Sequence, residues 1–359
     1  MKSIPIRQYL LSGIMLWAAA GSLQAEDVKV DLTLVSPVSC QVFQRGREDR
    51  AGILVEGQLV GNVDGIEAKA DLAPGTKRGT ATKWVVIATR QQIAQGKFSG
   101  RMLLGAGGWY QLTVRARQGG RVLAEQVVDK VGVGEVFITA GQSNSANFGQ
   151  PPQETKDDRV VYFNGKGYQH AKDPIPGGCG GGGSPWALLG DRIAASQQVP
   201  VCFRSTSLTW TEVKNWLPPD TDLYKNLAAC AKVLGKGGVR AVLWHQGESD
   251  TLVKTSAGTY CERVQMMVAA LNKDAGYVIP WVVAEASFHP GSKAPEQAEV
   301  AKGQRLLWQK KICFQGPLTD DLLGAEYRHD GVHFNQKGLD QHAARWFDAL
   351  SRAFQWKTR

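Results

Sequence analysis

Three short polar clusters hold the side chains of this chain that could do acyl-transfer chemistry. They are Gly141-Gln142-Ser143-Asn144, His245-Gln246-Gly247-Glu248-Ser249-Asp250 and Asp330-Gly331-Val332-His333. A serine hydroxyl is a weak nucleophile until a neighbouring base takes its proton. Alone, Ser143 reads as a strand-end cap or turn residue; His333 gives it another meaning. Asp330 precedes that histidine by three positions on a glycine-containing turn, a spacing that can aim both side chains the same way. The carboxylate could then hold the imidazole tautomer and stabilise its charged form. A developing oxyanion also needs donors, each worth about 3 kcal/mol of barrier. Candidates are the Ser143 N–H, a glycine N–H in the loop before Ser184, and the side-chain amide of Gln246. Glu248 and Asp250 could act as acids or fill a supporting network, and Asn144 is placed with them as support.

Metal ligation has to be weighed, because His329 and His333 stand four apart around an aspartate. The usual two-histidine motif needs a helix to bring such positions onto one face, and Gly331 argues against one. No metal and no organic cofactor are expected. His170, His245, His289 and His342 read as structural or surface histidines. The run Gly177-Gly178-Cys179-Gly180-Gly181-Gly182-Gly183 lacks the Lys-Ser/Thr of a phosphate loop. It reads as a close-approach loop or a flexible connector.

These clusters need elements to position them. The Gly141-Gln142-Ser143-Asn144 cluster follows the apolar run Val136–Ala140 without a spacer, and His245 follows Ala241–Trp244. In an open parallel sheet, sites form outside the carboxyl ends of strands, so the clusters could converge on one cleft. After residue 133 apolar strands alternate with amphipathic helices, the pattern of a parallel sheet covered on both faces. Strands are expected at 135–140, 200–205, 240–244 and 280–285, with a weaker one near 159–163. Helices are expected at 186–197, 222–234, 256–273, 295–310 and 336–354. From Val28 to about Val128 the period is two instead: Val28, Val30, Leu32 and Leu34 alternate, as do Tyr110, Leu112, Val114 and Ala116. That implies a β-sandwich of about 100 residues. The division expected is 1–25 leader, 26–132 β-sandwich and 133–359 catalytic part, with the boundary near Gly132.

The 359 residues, 43% apolar and 21% charged, have the composition of an ordinary folded protein. Lys2 and Arg7 precede an apolar stretch from Tyr9 to Ala20, and Ala25 ends a small-residue region. This reads as a signal peptide, hence a secreted or periplasmic protein without stable membrane insertion after cleavage. Leu23, not small, leaves an uncleaved anchor as the alternative. Formal charge is +9, and 9 − 2 = +7 without the leader's two cations. The basic residues are scattered, which gives no nucleic-acid face. Export makes disulfides plausible for Cys40, Cys179, Cys202, Cys230, Cys261 and Cys313, and buried free thiols are the alternative.

The three clusters resemble the block motifs of SGNH-type (GDSL-like) hydrolases, in particular the carbohydrate acetylesterase branch that includes sialate O-acetylesterases. The resemblance spans roughly residues 133–355. It implies a flavodoxin-like three-layer α/β/α domain with Ser143 as nucleophile, His333 as base and Asp330 as its orienter. It further implies that Gln246 takes the oxyanion role and that the block-two glycine maps to Gly183. The function expected is a carbohydrate O-acetylesterase working through an acetyl-serine intermediate on acetylated sugars. A general esterase or lipase, or a non-catalytic glycan-binding protein, is the alternative. Trp186, Trp210 and Trp216 are candidates for a sugar-stacking wall, although tryptophans there are more often core. Oligomeric state is not legible.

Overall fold

In a computed structural model, residues 30–356 are described together with Met1. The expected leader, Met1 apart, lies outside the described residues. Period-two alternation becomes strands β1 (Asp31–Ser36), β2 (Val42–Gln44), β3 (Arg50–Val60), β4 (Gly65–Leu72), β5 (Val85–Thr89), β6 (Lys97–Gly105) and β7 (Gly107–Gln118). They are followed by the long β8 (Arg121–Gly141). One antiparallel sheet has the order β1-β3-β6; in a second, β4 pairs with β5 and β7, and β7 with β8. Between them lies a core of Leu32, Ile53, Val55, Phe98 and Met102 from one sheet, with Ile66, Ala68, Leu112 and Val114 from the other. This is the expected β-sandwich.

The boundary foreseen near Gly132 falls inside β8. The strand pairs antiparallel with β7 through Val133, then runs parallel to its later neighbours from Glu135 onward. Its first ten residues alternate or lie near the surface, and Val131–Gly141 are all buried. Room for this passage depends on Gly134, where an added Cβ would stand 1.9 Å from the Pro200 carbonyl oxygen.

The second half adds β9 (Val160–Phe163), β10 (Tyr168–His170), β11 (Val201–Ser205), β12 (Ala241–His245), β13 (Trp281–Glu285) and β14 (Phe314–Leu318). The sheet order is β10-β9-β11-β8-β12-β13-β14, parallel except for β10 against β9. With β9 and β10 set aside, the five strands lie in chain order 2-1-3-4-5. That is the flavodoxin-like order, whose switch point lies between its first and third strands, here β8 and β12. Helices α1 (Trp186–Gln197), α2 (Asp222–Gly235), α3 (Glu248–Leu252), α4 (Ala257–Ala275), α5 (Ala294–Gln309) and α6 (Gln336–Phe354) complete the fold. Alternate residues of β8 point to opposite layers. Val136, Ile138 and Ala140 join Leu227 of α2, Val264 of α4 and Val300 of α5, while Phe137 joins Trp186 of α1 and Trp346 of α6.

All six cysteines are free, and Cys202, Cys230, Cys261 and Cys313 are buried. The disulfides thought plausible are not formed. Burial pushes the Cys202, Cys230 and Cys313 thiols up, Cys230 to about 12, so they act as small apolar groups. Among the described residues no helix is long and apolar enough to cross a membrane.

Candidate active site

Beyond the carboxyl end of β8 the backbone must turn at once, because Gly141 touches β12. Its φ is +134°, and a Cβ there would sit 2.0 Å from the His245 carbonyl oxygen. Gln142 N–H donates to that same oxygen at 3.0 Å. A single 3₁₀ turn, Ser143–Ser145, follows. Ser143 is only 4% exposed, and its hydroxyl has no hydrogen-bond partner among the described residues. It is nevertheless not sealed off from solvent.

The third cluster is a tight hairpin closed by an Arg328–Phe334 bridge and by His329 N–H on the His333 carbonyl at 2.9 Å. Gly331, at φ +85°, makes its turn. Asp330 Oδ1 accepts the Val332 and His333 N–H groups at 2.8 and 2.6 Å, and Oδ2 faces His333 Nδ1 at 2.6 Å. Partial burial opposes the charge of Asp330, but these donors and the imidazole outweigh it and hold the carboxyl down at about 2. With Nδ1–H donated to Asp330, the lone pair of His333 is left at Nε2. Phe148 stacks on the ring at 5.1 Å.

Asn144 ties the clusters together. Its Nδ2 donates to Glu248 Oε1 at 3.0 Å and to the Val332 carbonyl at 3.3 Å, so the residue after Ser143 bonds the residue before His333. No hydrogen bond joins Ser143 Oγ to His333 among the described residues; such contacts commonly tighten only when substrate binds. Glu248 is fully buried with His245 Nε2 at 3.4 Å. Burial opposes its charge, yet hydrogen bonds from His245 and Asn144 bring the net direction down. Asp250 moves up through burial while it caps Val213 N–H, Thr255 and Gln246.

Two expected oxyanion donors are already spent. Gln246 Nε2 donates to Asp250 Oδ2 at 2.6 Å and to the Thr211 carbonyl at 2.9 Å, and the residue is fully buried. Gly183 N–H is committed to the Gly149 carbonyl at 2.6 Å. Among the described residues, free donors lie instead on Gln142, which sequence reasoning missed, and elsewhere in the glycine loop that it had named. Gln142 Oε1 accepts from Gln246 Nε2, Gly247 N–H and Ser249 N–H at 3.3, 3.4 and 3.1 Å. That fixes its amide and leaves Nε2 without a partner among the described residues, though not sealed from solvent. In the glycine loop, Gly180 and Gly181 N–H have no partner among the described residues, and Gly181 is exposed. Asp173 anchors this loop by accepting Ser184 N–H and Oγ–H at 2.6 and 2.7 Å.

Of the three tryptophans, Trp186 and Trp216 are wholly buried and belong to the core. Trp210 is 70% exposed and holds a left-handed φ of +56°, a conformation that bulky residues rarely adopt. Its ring lies 5.9 Å from that of His289. Ligand atoms of His329, Asp330 and His333 all fall within 4.8 Å of one another. The hairpin thus juxtaposes two histidines that were expected to need a helix.

A family model described as carbohydrate esterase, sialic acid-specific acetylesterase, matches residues 133–352. No curated protein matches the chain by sequence. Among solved structures, a carbohydrate acetylesterase from Xanthomonas citri aligns over 92% of this chain and 76% of its own, at 18% identity and a TM-score of 0.61. A protein from Arabidopsis thaliana aligns over 60% of this chain and 98% of its own, at 17% identity and a TM-score of 0.49. The first of these likenesses shows the fold.

Proposed function

The chain belongs to the sialic acid-specific acetylesterase family of carbohydrate esterases, and from that premise we propose how this O-acetylesterase works and where. Ser143 Oγ attacks the acetyl carbonyl carbon while His333 Nε2 takes the hydroxyl proton, and Asp330 steadies the imidazolium through Nδ1–H. Ser143 N–H, an N–H of Gly180 or Gly181, and Gln142 Nε2 receive the oxyanion. The tetrahedral adduct collapses as His333 returns the proton to the departing sugar oxygen, leaving acetyl-Ser143. Water, deprotonated by His333, then attacks the acetyl carbon, and the bond to Ser143 Oγ breaks as His333 returns the proton to that oxygen, freeing acetate.

The observation that carries this reading is the 2.6 Å Asp330–His333 pair linked to the Ser143 turn through Asn144. Trp210 would receive a sugar face, since an exposed indole stacks well on the apolar side of a pyranose ring. The leader read in residues 1–25 supports export to the periplasm or beyond. Acetate release from acetylated sialic acid, acetylated xylan and an aryl acetate tests the proposal. Sialic acid esters should lead, Ser143→Ala should abolish all three, and Trp210→Ala should raise KM for the sugar esters with little effect on the aryl ester. Undiminished release by Ser143→Ala would refute the mechanism, and a uniform response to Trp210→Ala would remove the sugar platform.

A further inference from the structure

We propose that the hairpin bearing Asp330 and His333 is also a binding site for a d-block divalent cation, with Zn²⁺ as the type ion, and that its occupancy reversibly silences hydrolysis. The inhibitory half of this proposal rests on the reading of His333 as base.

The donor set is two imidazoles and one carboxylate, His329, His333 and Asp330, with ligand atoms within 4.8 Å of one another. Nitrogen-rich sets of this kind suit Zn²⁺, Cu²⁺ or Ni²⁺ rather than Mg²⁺ or Ca²⁺, which prefer oxygen. Donors about 2.0–2.2 Å from zinc stand roughly 3.5 Å apart, so the hairpin must close by at most about 1.3 Å. His329 and Asp330 are exposed and Gly331 sits at the turn, so little packing resists that movement.

A second observation concerns orientation. His329 Nε2 lies 3.0 Å from the Phe148 carbonyl oxygen, which can only accept, so Nε2 carries the proton and Nδ1 keeps its lone pair. Metal-ligating histidines commonly donate their other ring N–H to a backbone carbonyl in this way. The two rings lie 6.1 Å apart and nearly parallel, at 28°. Inhibition follows whichever His333 nitrogen the ion takes. At Nε2 it occupies the lone pair that must accept the serine proton; at Nδ1 it displaces the proton that His333 donates to Asp330. His329 has no part in the proposed acyl transfer, so it separates metal binding from catalysis.

Titration calorimetry with Zn²⁺ on the full chain, on Ser143→Ala and on His329→Gln, beside aryl acetate hydrolysis with and without chelator, tests this. Wild type should bind one Zn²⁺ per chain, lose at least tenfold in activity at saturation and recover it with chelator. Ser143→Ala should bind as wild type does although inactive. His329→Gln should keep activity within about twofold and lose at least tenfold in both Zn²⁺ affinity and sensitivity. No stoichiometric binding, or His329→Gln bound and inhibited as tightly as wild type, would overturn the site. Binding through His329 without inhibition would overturn the silencing. Failure of the catalytic reading would show separately, as hydrolysis surviving His333→Ala.

Discussion

At the scale of single residues, Gln246 Nε2 is consumed by Asp250 and Thr211, whereas Gln142 Nε2 has no partner among the described residues and takes its place in the proposed oxyanion site. Gln142→Ala should therefore lower kcat by about 10²–10³-fold with little change in KM, the cost of one oxyanion donor. Gln246→Ala should instead lower stability by leaving the buried Asp250 underbonded. Steady-state kinetics and urea unfolding of both variants check the pair; a kcat loss confined to Gln246→Ala would reverse the assignment. The Asp330–His333 pair was legible because it shows in residue type and short spacing. Which amides stay unpaired was not, since that depends on hydrogen bonds between residues as distant as Gly149 and Gly183.

At the scale of elements, the loop before α1 hangs on Asp173, and its carboxyl is buried deeply enough to be pushed up to about 6. An unfolded aspartate titrates near 3.9. Between those values the folded protein holds a proton that the unfolded chain has released. The stability from this group is therefore full below about pH 4 and lost as pH rises through about 6. The loss approaches 3 kcal/mol at about 1.4 kcal/mol per unit. Asp173→Asn cannot titrate, so the wild-type-minus-variant difference in urea stability should fall by about that amount between pH 4 and pH 7. A constant difference would contradict the buried carboxyl. Most helices and parallel strands were legible from their apolar periodicity, and α1 and α6 carry the expected bounds. The strand β14 was hidden because Gly316 and Pro317 interrupt Phe314–Leu318; as an edge strand it tolerates a proline that a central strand would not.

At the scale of the whole molecule, β8 makes one scaffold of what the period change in the sequence suggested were two. The join is reinforced by Glu135, wholly buried between Arg45 and Arg240, whose Nε atoms each donate to it at 2.6 Å. Removing this carboxylate strands two guanidiniums, so Glu135→Leu should cost about 3–5 kcal/mol; urea unfolding within about 1 kcal/mol of wild type would deny the junction that role. A change of hydrophobic period shows where the environment changes, but a backbone that runs straight through leaves no turn residues to read. The scaffold brings together three clusters separated by up to 190 positions, Ser143 to His333, which hydrogen bonds of Asn144 join at the carboxyl ends of β8 and β12. The most direct measurement is peptide mass mapping of enzyme quenched during turnover of an acetylated sugar. One acetyl group on the peptide containing Ser143, absent in Ser143→Ala, is the predicted result; an acetyl group on another residue, or turnover by Ser143→Ala at the wild-type rate, would contradict it.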